Sequence, residues 1–289
     1  MTTAWQSTTL PTGIHALVGG PKSGIPIILL PGWPQTAAAF EPLFLQLSVK
    51  YRVYALDPPG LGDSEPSPTG YDTKSVSLIL HTAVKGVFKP SQKYHLVGHD
   101  IGAWIAYSWA RHHPVDILSL TLLDSAIPGH APPLSFPLPD PLNMKLWQFS
   151  FNRLPDLPEI LTKGKEKELL NWLFATKSVH PDRVTKERRE VYVKAYSKEG
   201  AMSRGFEYYR AVGKSAAQNL SFKETKLTMP ILALGGDQGV AGGLKAVMEV
   251  LAESVEGGAI PDCGHYVMEE QPEALAQMML DFYGSVEKS

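Results

Sequence analysis

Tyr94-His95-Leu96-Val97-Gly98-His99-Asp100-Ile101-Gly102-Ala103-Trp104 decides how this chain is read. Tyr94 to Val97 has the apolar character of a buried strand, and the stretch from Gly102 to Arg111 reads as a helix. Between them, Gly98-His99-Asp100-Ile101-Gly102 puts an acidic residue at the tip of a turn from strand straight into helix. Such a turn crowds the backbone, and residues without a Cβ relieve the crowding. A carboxylate at this point faces the first N–H groups of the helix and the positive end of its dipole, which keep it ionised. An ionised, fixed carboxylate can attack carbon. Asp is also a favoured helix N-cap, so the pentapeptide alone leaves both readings open.

Outward from this turn the first half of the chain alternates apolar runs with helical stretches. Ile25 to Leu30, Tyr51 to Leu56 and Leu118 to Leu123 are near-continuous apolar strands that end at Pro31-Gly32, at Asp57-Pro58-Pro59-Gly60 and at Asp124. Such runs fit a parallel sheet covered on both faces. Thr73 to Val87 reads as a crossover helix. A proline-rich connection from Pro128 to Pro141 interrupts the rhythm. Lys145 to Phe151, Pro158 to Thr176, Pro181 to Tyr196 and Met202 to Val212 then read as helices. Strands resume at Pro230 to Leu234 and about Ser254 to Ile260, and Pro272 to Tyr283 closes the chain as a helix. The expected organisation is an α/β core from residues 1–127 and 214–289, with a helical cap from 128–213.

Composition narrows the function classes. A chain of 289 residues, 44% hydrophobic and 19% charged, has the make-up of a globular protein with a sizeable core. A net charge of −2 gives no basic footprint for nucleic acid or an anionic membrane surface. No apolar run has the length of a membrane span. The single cysteine, Cys263, allows no intrachain disulfide. Met1 to Ser7 has neither the positive nor the apolar region of a signal peptide. A cytoplasmic location is expected. No metal-ligand cluster stands out, and no cofactor is expected.

Other strand ends supply candidate partners for Asp100. Leu30-Pro31-Gly32-Trp33-Pro34 follows the first core strand, and its Trp33 N–H with that of Ile101 can form an oxyanion site. Cys263-Gly264-His265-Tyr266 lies between the last strand and the last helix, where His265 can act as general base. Two acids can orient that histidine. Asp124 ends the strand after the Asp100 turn, and Asp237 lies in Gly235-Gly236-Asp237-Gln238-Gly239. Asp124 is preferred, with Asp237 as the alternative. The loop Asp57 to Ser64 is expected to shape the rim without catalytic work.

Taken together, these runs resemble the α/β-hydrolase superfamily over nearly the whole chain. The closer resemblance is to its Asp-nucleophile branch, the epoxide hydrolases and the haloalkane or haloacetate dehalogenases. It implies an α/β-hydrolase fold and a covalent Asp100 ester hydrolysed by His265. In these relatives the later acid falls three residues after the loop glycine, which counts from Gly236 to Gly239 and not to Asp237. Trp147-Gln148-Phe149-Ser150-Phe151 and Gly205-Phe206-Glu207-Tyr208-Tyr209-Arg210 resemble cap segments of a bacterial epoxide hydrolase group that polarises the epoxide oxygen with a His and a Tyr. Tyr209 falls on the tyrosine, with Tyr208 as a stand-in, and Gln148 falls where those relatives have histidine. Gln148, Trp147 and Tyr208 are thereby candidates for substrate contact. Glutamine can donate a hydrogen bond but cannot give up a proton.

Dehalogenase features are mostly missing. Ile101, not Trp, follows the nucleophile, and no arginines follow it to hold a carboxylate. The resemblance therefore implies a small neutral apolar substrate, an epoxide before a haloalkane, and a possible homodimer. A non-hydrolytic binding protein or cyclase on this fold is the alternative of another class.

Overall fold

A computed structural model describes residues 5–132, 137–222 and 224–288. Residues 133–136 of the proline-rich connection and residues 1–4 lie outside the described part. Eight strands form one sheet in the order β1-β2-β4-β3-β5-β6-β7-β8. They are β1 (Gln6–Leu10), β2 (Ile14–Gly19), β3 (Pro26–Leu30), β4 (Arg52–Leu56), β5 (Tyr94–His99), β6 (Ile117–Leu123), β7 (Ile231–Gly236) and β8 (Val255–Ile260). From β4 to β8 the pairings are parallel, whereas β2 runs antiparallel to both β1 and β4.

Every residue of β3 and β5 is buried, as the apolar runs require of central strands covered on both faces. β1 and β2 were not legible as such runs. β1 is the edge strand, exposed at all but Leu10, and β2 alternates buried and half-buried positions.

Helix α1 (Glu41–Leu47) follows β3, α2 (Thr73–Lys85) follows β4, and α3 (Ile101–His112) follows β5. Every residue of α3 from Ile101 to Arg111 is buried, so this helix is packed all round. Between β6 and β7 come α4 (Asp140–Phe151), α5 (Leu157–Thr162), α6 (Glu166–Lys177), α7 (Lys186–Tyr196), α8 (Ala201–Arg210) and α9 (Val212–Leu220). The single helical stretch expected over Pro158 to Thr176 is two helices. The break falls at Lys163-Gly164, where Gly164 takes φ +72°, a value that suits glycine.

Helix α9 crosses the expected boundary at 213/214 and is bonded to the core. Asp72, at the N-terminus of α2, accepts from Lys214 Nζ and Gln218 Nε2, each at 2.7 Å, and Asn219 Nδ2 donates to the Pro128 carbonyl at 2.9 Å. α10 (Gly243–Leu251), α11 (Val267–Glu270) and α12 (Pro272–Val286) complete the core. Among the described residues, no helix is long and apolar enough to cross a membrane.

Candidate active site

Asp100 sits between β5 and α3 with φ 53° and ψ −120°, a conformation that is costly for a side-chain-bearing residue. The neighbouring glycines are obligatory. A Cβ on Gly102 would lie 2.1 Å from the Leu30 carbonyl oxygen, and one on Gly98 2.2 Å from that of Gly102. The Asp100 side chain makes no capping bond to α3, which decides against the N-cap reading. Its Oδ1 instead accepts from the Trp33 N–H at 3.2 Å. Gly32 lets the two loops approach, since a Cβ there would lie 2.2 Å from Asp100 Cβ. Ser125 Oγ donates to the Asp100 carbonyl at 3.0 Å, a contact with no separate signal in the sequence. Ile101 opens α3, so its N–H has no carbonyl four residues back within the helix.

The histidine and its acid converge on the same point. His265 Nδ1 lies 2.7 Å from Asp124 Oδ2, and its Nε2 lies 3.5 Å from Asp100 Oδ2. Asp124 Oδ1 accepts from the N–H groups of Gly236 (2.9 Å) and Val240 (3.0 Å). Asp237 is exposed and accepts instead from the backbone of Asp262 and Cys263. It holds the loop that carries His265 and does not reach the imidazole.

The His265 loop is pinned from two sides. Its N–H donates to the Lys177 carbonyl at 2.9 Å, and the buried Glu270 carboxylate accepts from Gly264 and Tyr266 as well as from Val179 and His180 beyond α6. His99 Nε2 donates to the His265 carbonyl at 2.8 Å. Asp57, expected only to shape the rim, is buried and accepts from Ala37 N–H at 2.7 Å, bracing the loop that carries Trp33.

The charges are mutually adjusted. Burial alone would raise the Asp100 pKa, but the facing His265 imidazole and the nearby His99 and Lys177 outweigh it and hold the carboxyl below its ordinary range. Burial would lower His265, but Asp100 and Asp124 outweigh it and raise the imidazole above 6.5. Burial pushes His99 down to about 4, so it stays neutral.

A cavity of about 300 Å³ reaches Asp100, Asp124 and His265, with Leu142, Leu146, Phe149 and Val240 among its apolar walls and Lys145 and Lys177 on its rim and flank. Tyr209 is buried among Trp33, Trp104 and Phe149, with ring centroids 5.8, 5.8 and 5.5 Å away. Burial first, and then the charge of Asp100, push its phenol well above 10.

The other cap candidates point elsewhere. Tyr208 donates to the Pro59 carbonyl at 2.8 Å and stacks edgewise on Tyr71. Trp147 packs on Phe151 and Trp172, against a separate surface groove. Gln148 is buried, and only one amide orientation satisfies it: Nε2 donates to the Lys145 carbonyl at 3.0 Å, and Oε1 accepts from the Lys177 ammonium. Lys177 was not legible in the sequence, where it is an unremarked cation at the end of a cap helix.

This geometry, a strained acidic turn with a histidine and an acid on strand ends at the same edge of one sheet, matches the arrangement expected of an α/β-hydrolase site. The match to the alpha/beta hydrolase family spans residues 27–278, and the chain belongs to that family. It is 30% identical over 272 residues to a soluble epoxide hydrolase of Corynebacterium sp. (strain C12), covering 93% of each chain. It is 24% identical over 282 residues to a fluoroacetate dehalogenase of Burkholderia sp., covering 93% of this chain and 90% of the other. Among solved structures it resembles Cfl2 from Burkholderia cenocepacia (TM-score 0.90, 35% identity, 96% of this chain and 95% of that one). It also resembles the epoxide hydrolase CorEH (TM-score 0.87, 28% identity, 98% and 99%). These relatives support hydrolase activity.

Proposed function

We propose that the protein opens an epoxide to a diol through an ester on Asp100. The observation that carries this reading is the buried Asp100 carboxylate itself, held between the Trp33 N–H and His265 against a mainly apolar cavity. Asp100 attacks an epoxide carbon while Tyr209 donates a hydrogen bond to the departing oxygen. His265, oriented by Asp124, then takes a proton from water, which attacks the ester carbonyl. The N–H groups of Trp33 and Ile101 hold the resulting oxyanion. No step in this sequence calls for a cofactor. The helices between β6 and β7 act as a cap that selects small, largely apolar substrates, and cytoplasmic action fits the sequence.

The test is a single turnover in ¹⁸O-water with excess protein. An Asp ester delivers a protein carboxylate oxygen to the first diol, so unlabelled first-turnover diol is expected. Label appearing directly in that product would remove the covalent step.

One observation favours dehalogenation as the second reading. The Trp33 indole N–H is buried, has no hydrogen-bond partner among the described residues, and its ring lies beside Tyr209, which leaves a donor for a departing halide. Halide release from small haloalkanes and haloacetates separates the two.

A further inference from the structure

Lys177 enters the cavity wall from the last residue of α6. Part of the residue stays exposed, but its ammonium end lies deep in the protein. The charged groups facing it are Asp100 from the turn before α3, Asp124 after β6, His265 from the loop after β8 and Lys145 from α4. Lys145 is spent on the Gln238 carbonyl at the rim. Lys177 holds the Gln148 carboxamide oxygen with one of its three N–H donors, which leaves donors to turn into the cavity. Gln148 therefore presents an acceptor to Lys177 and spends one N–H on its own helix.

We propose that Lys177 is the acid that protonates the oxygen leaving the epoxide, with Gln148 as the residue that positions its ammonium. This rests on the epoxide-opening reading above. Asp100 Oδ forms a bond to the epoxide carbon as the ring C–O bond breaks, and the freed oxygen takes a proton from Lys177 Nζ, leaving a neutral amine. Water then attacks the ester carbonyl and gives its proton to His265. The tetrahedral intermediate collapses with cleavage of the ester C–O bond, and its remaining hydroxyl proton passes to the departing diol oxygen. Asp100 is left as carboxylate, His265 returns its proton to solvent, and Lys177 regains one. The net change is epoxide plus water to diol.

The division of labour with Tyr209 follows from their surroundings. Burial and the Asp100 charge make the Tyr209 phenol a reluctant acid suited to hydrogen bonding, whereas burial lowers Lys177 to about 8, against the opposing pull of Asp100 and Asp124. An ammonium in that range gives up a proton readily near neutral pH.

The experiment follows ester formation alone, by rapid quench and intact mass, in a His265→Gln background that stalls hydrolysis. Lys177→Met is expected to slow ester formation by about 100-fold. Lys177→Arg keeps the charge but does not release a proton, and is expected to stay slow. With Lys177 present, the rate should fall above about pH 8, and that limb should vanish in Lys177→Met. Unchanged ester formation in Lys177→Met, restored formation in Lys177→Arg, or a flat pH profile with Lys177 present would each overturn the proposal while leaving the Asp100 ester intact. Failure of the parent to form an ester with any epoxide removes the underlying reading and this proposal together. The pH limb needs no Lys177 variant, so it holds even if Lys177→Met folds poorly.

Discussion

Replacing Asp124 by asparagine separates the two halves of the proposed reaction, and the structure dictates how. Asp124 Oδ1 accepts two backbone N–H groups, from Gly236 and Val240, while Oδ2 faces His265 Nδ1. An asparagine must keep its oxygen on the two N–H groups, because its NH2 there would meet donors only. Its NH2 then faces Nδ1 and donates to it. That forces the imidazole proton onto Nε2, pointing at Asp100, and His265 can no longer take a proton from water. Loss of one charge-assisted hydrogen bond costs about 1.5–3 kcal/mol, so the chain should still fold. Inverting the tautomer costs about 10⁴ in rate in a catalytic triad of the serine type, and a similar loss is expected for ester hydrolysis. Ester formation does not use His265 as a base and should stay within about tenfold. Intact mass after rapid quench should therefore show ester accumulating to nearly one per chain. Turnover within about tenfold of the parent, or loss of turnover without any ester, would refute the reasoning. Asp237→Asn is the companion control: Asp237 bonds backbone N–H groups of the His265 loop without reaching the imidazole, and an amide oxygen can still accept from them, so turnover should hold within about twofold.

Gly102→Ala should abolish folding or cost more than about 3 kcal/mol, read as lost folded yield, because its Cβ would strike the Leu30 carbonyl at 2.1 Å and neither backbone can move freely. Glu269 is raised by burial from 4.5 to about 7, despite Tyr192, Arg188 and Gln35 beside it. The folded state thus holds its proton more tightly than the unfolded chain, and stability falls as pH rises from about 4.5 through about 7, by up to about 3 kcal/mol. Glu269→Gln should flatten that dependence, raising Tm by several degrees at about pH 8 and leaving it nearly unchanged at about pH 4. A gain at low pH instead of high would contradict the assignment. His265 should titrate above 6.5 in the free protein by NMR. Ester hydrolysis needs its neutral form and should rise with pH, but with a lower midpoint, because the ester has lost the Asp100 charge that helps hold the proton. A midpoint at or above the free value would count against the ester.

What could be read from the sequence was what is local. Apolar runs ending in turn residues located the central strands, and the same strand ends carried Asp100, Asp124, Trp33 and His265 to one edge of the sheet. β1 escaped because an exposed edge strand such as Gln6–Leu10 needs no apolar pattern. The cap was harder still. Its helices are short and their neighbours distant in sequence, so nothing local tells Tyr208, tied to Pro59, from Tyr209, caged beside the site. Gln148 shows the same limit: its residue type suggested a donor, and only its contact with Lys177 reveals an acceptor.

The position of the acid has a steric logic of its own. The relatives suggested an acid at the position of Gly239, and a Cβ there would fall 2.1 Å from Asp124 Oδ1, inside the volume of that carboxylate. An acid after β6 and an acid at 239 thus compete for one space, and a side chain at either excludes the other. Asp124 reaches that space from a positive φ of 36°, bonded to the very loop that would carry the alternative. Gly239 is glycine because the carboxylate already lies against it. Asp237, two residues earlier, is then left free to pin the His265 loop from outside. In this arrangement one carboxylate orients the base and locks the β7 loop, and a second, on that loop, holds the segment on which the base stands.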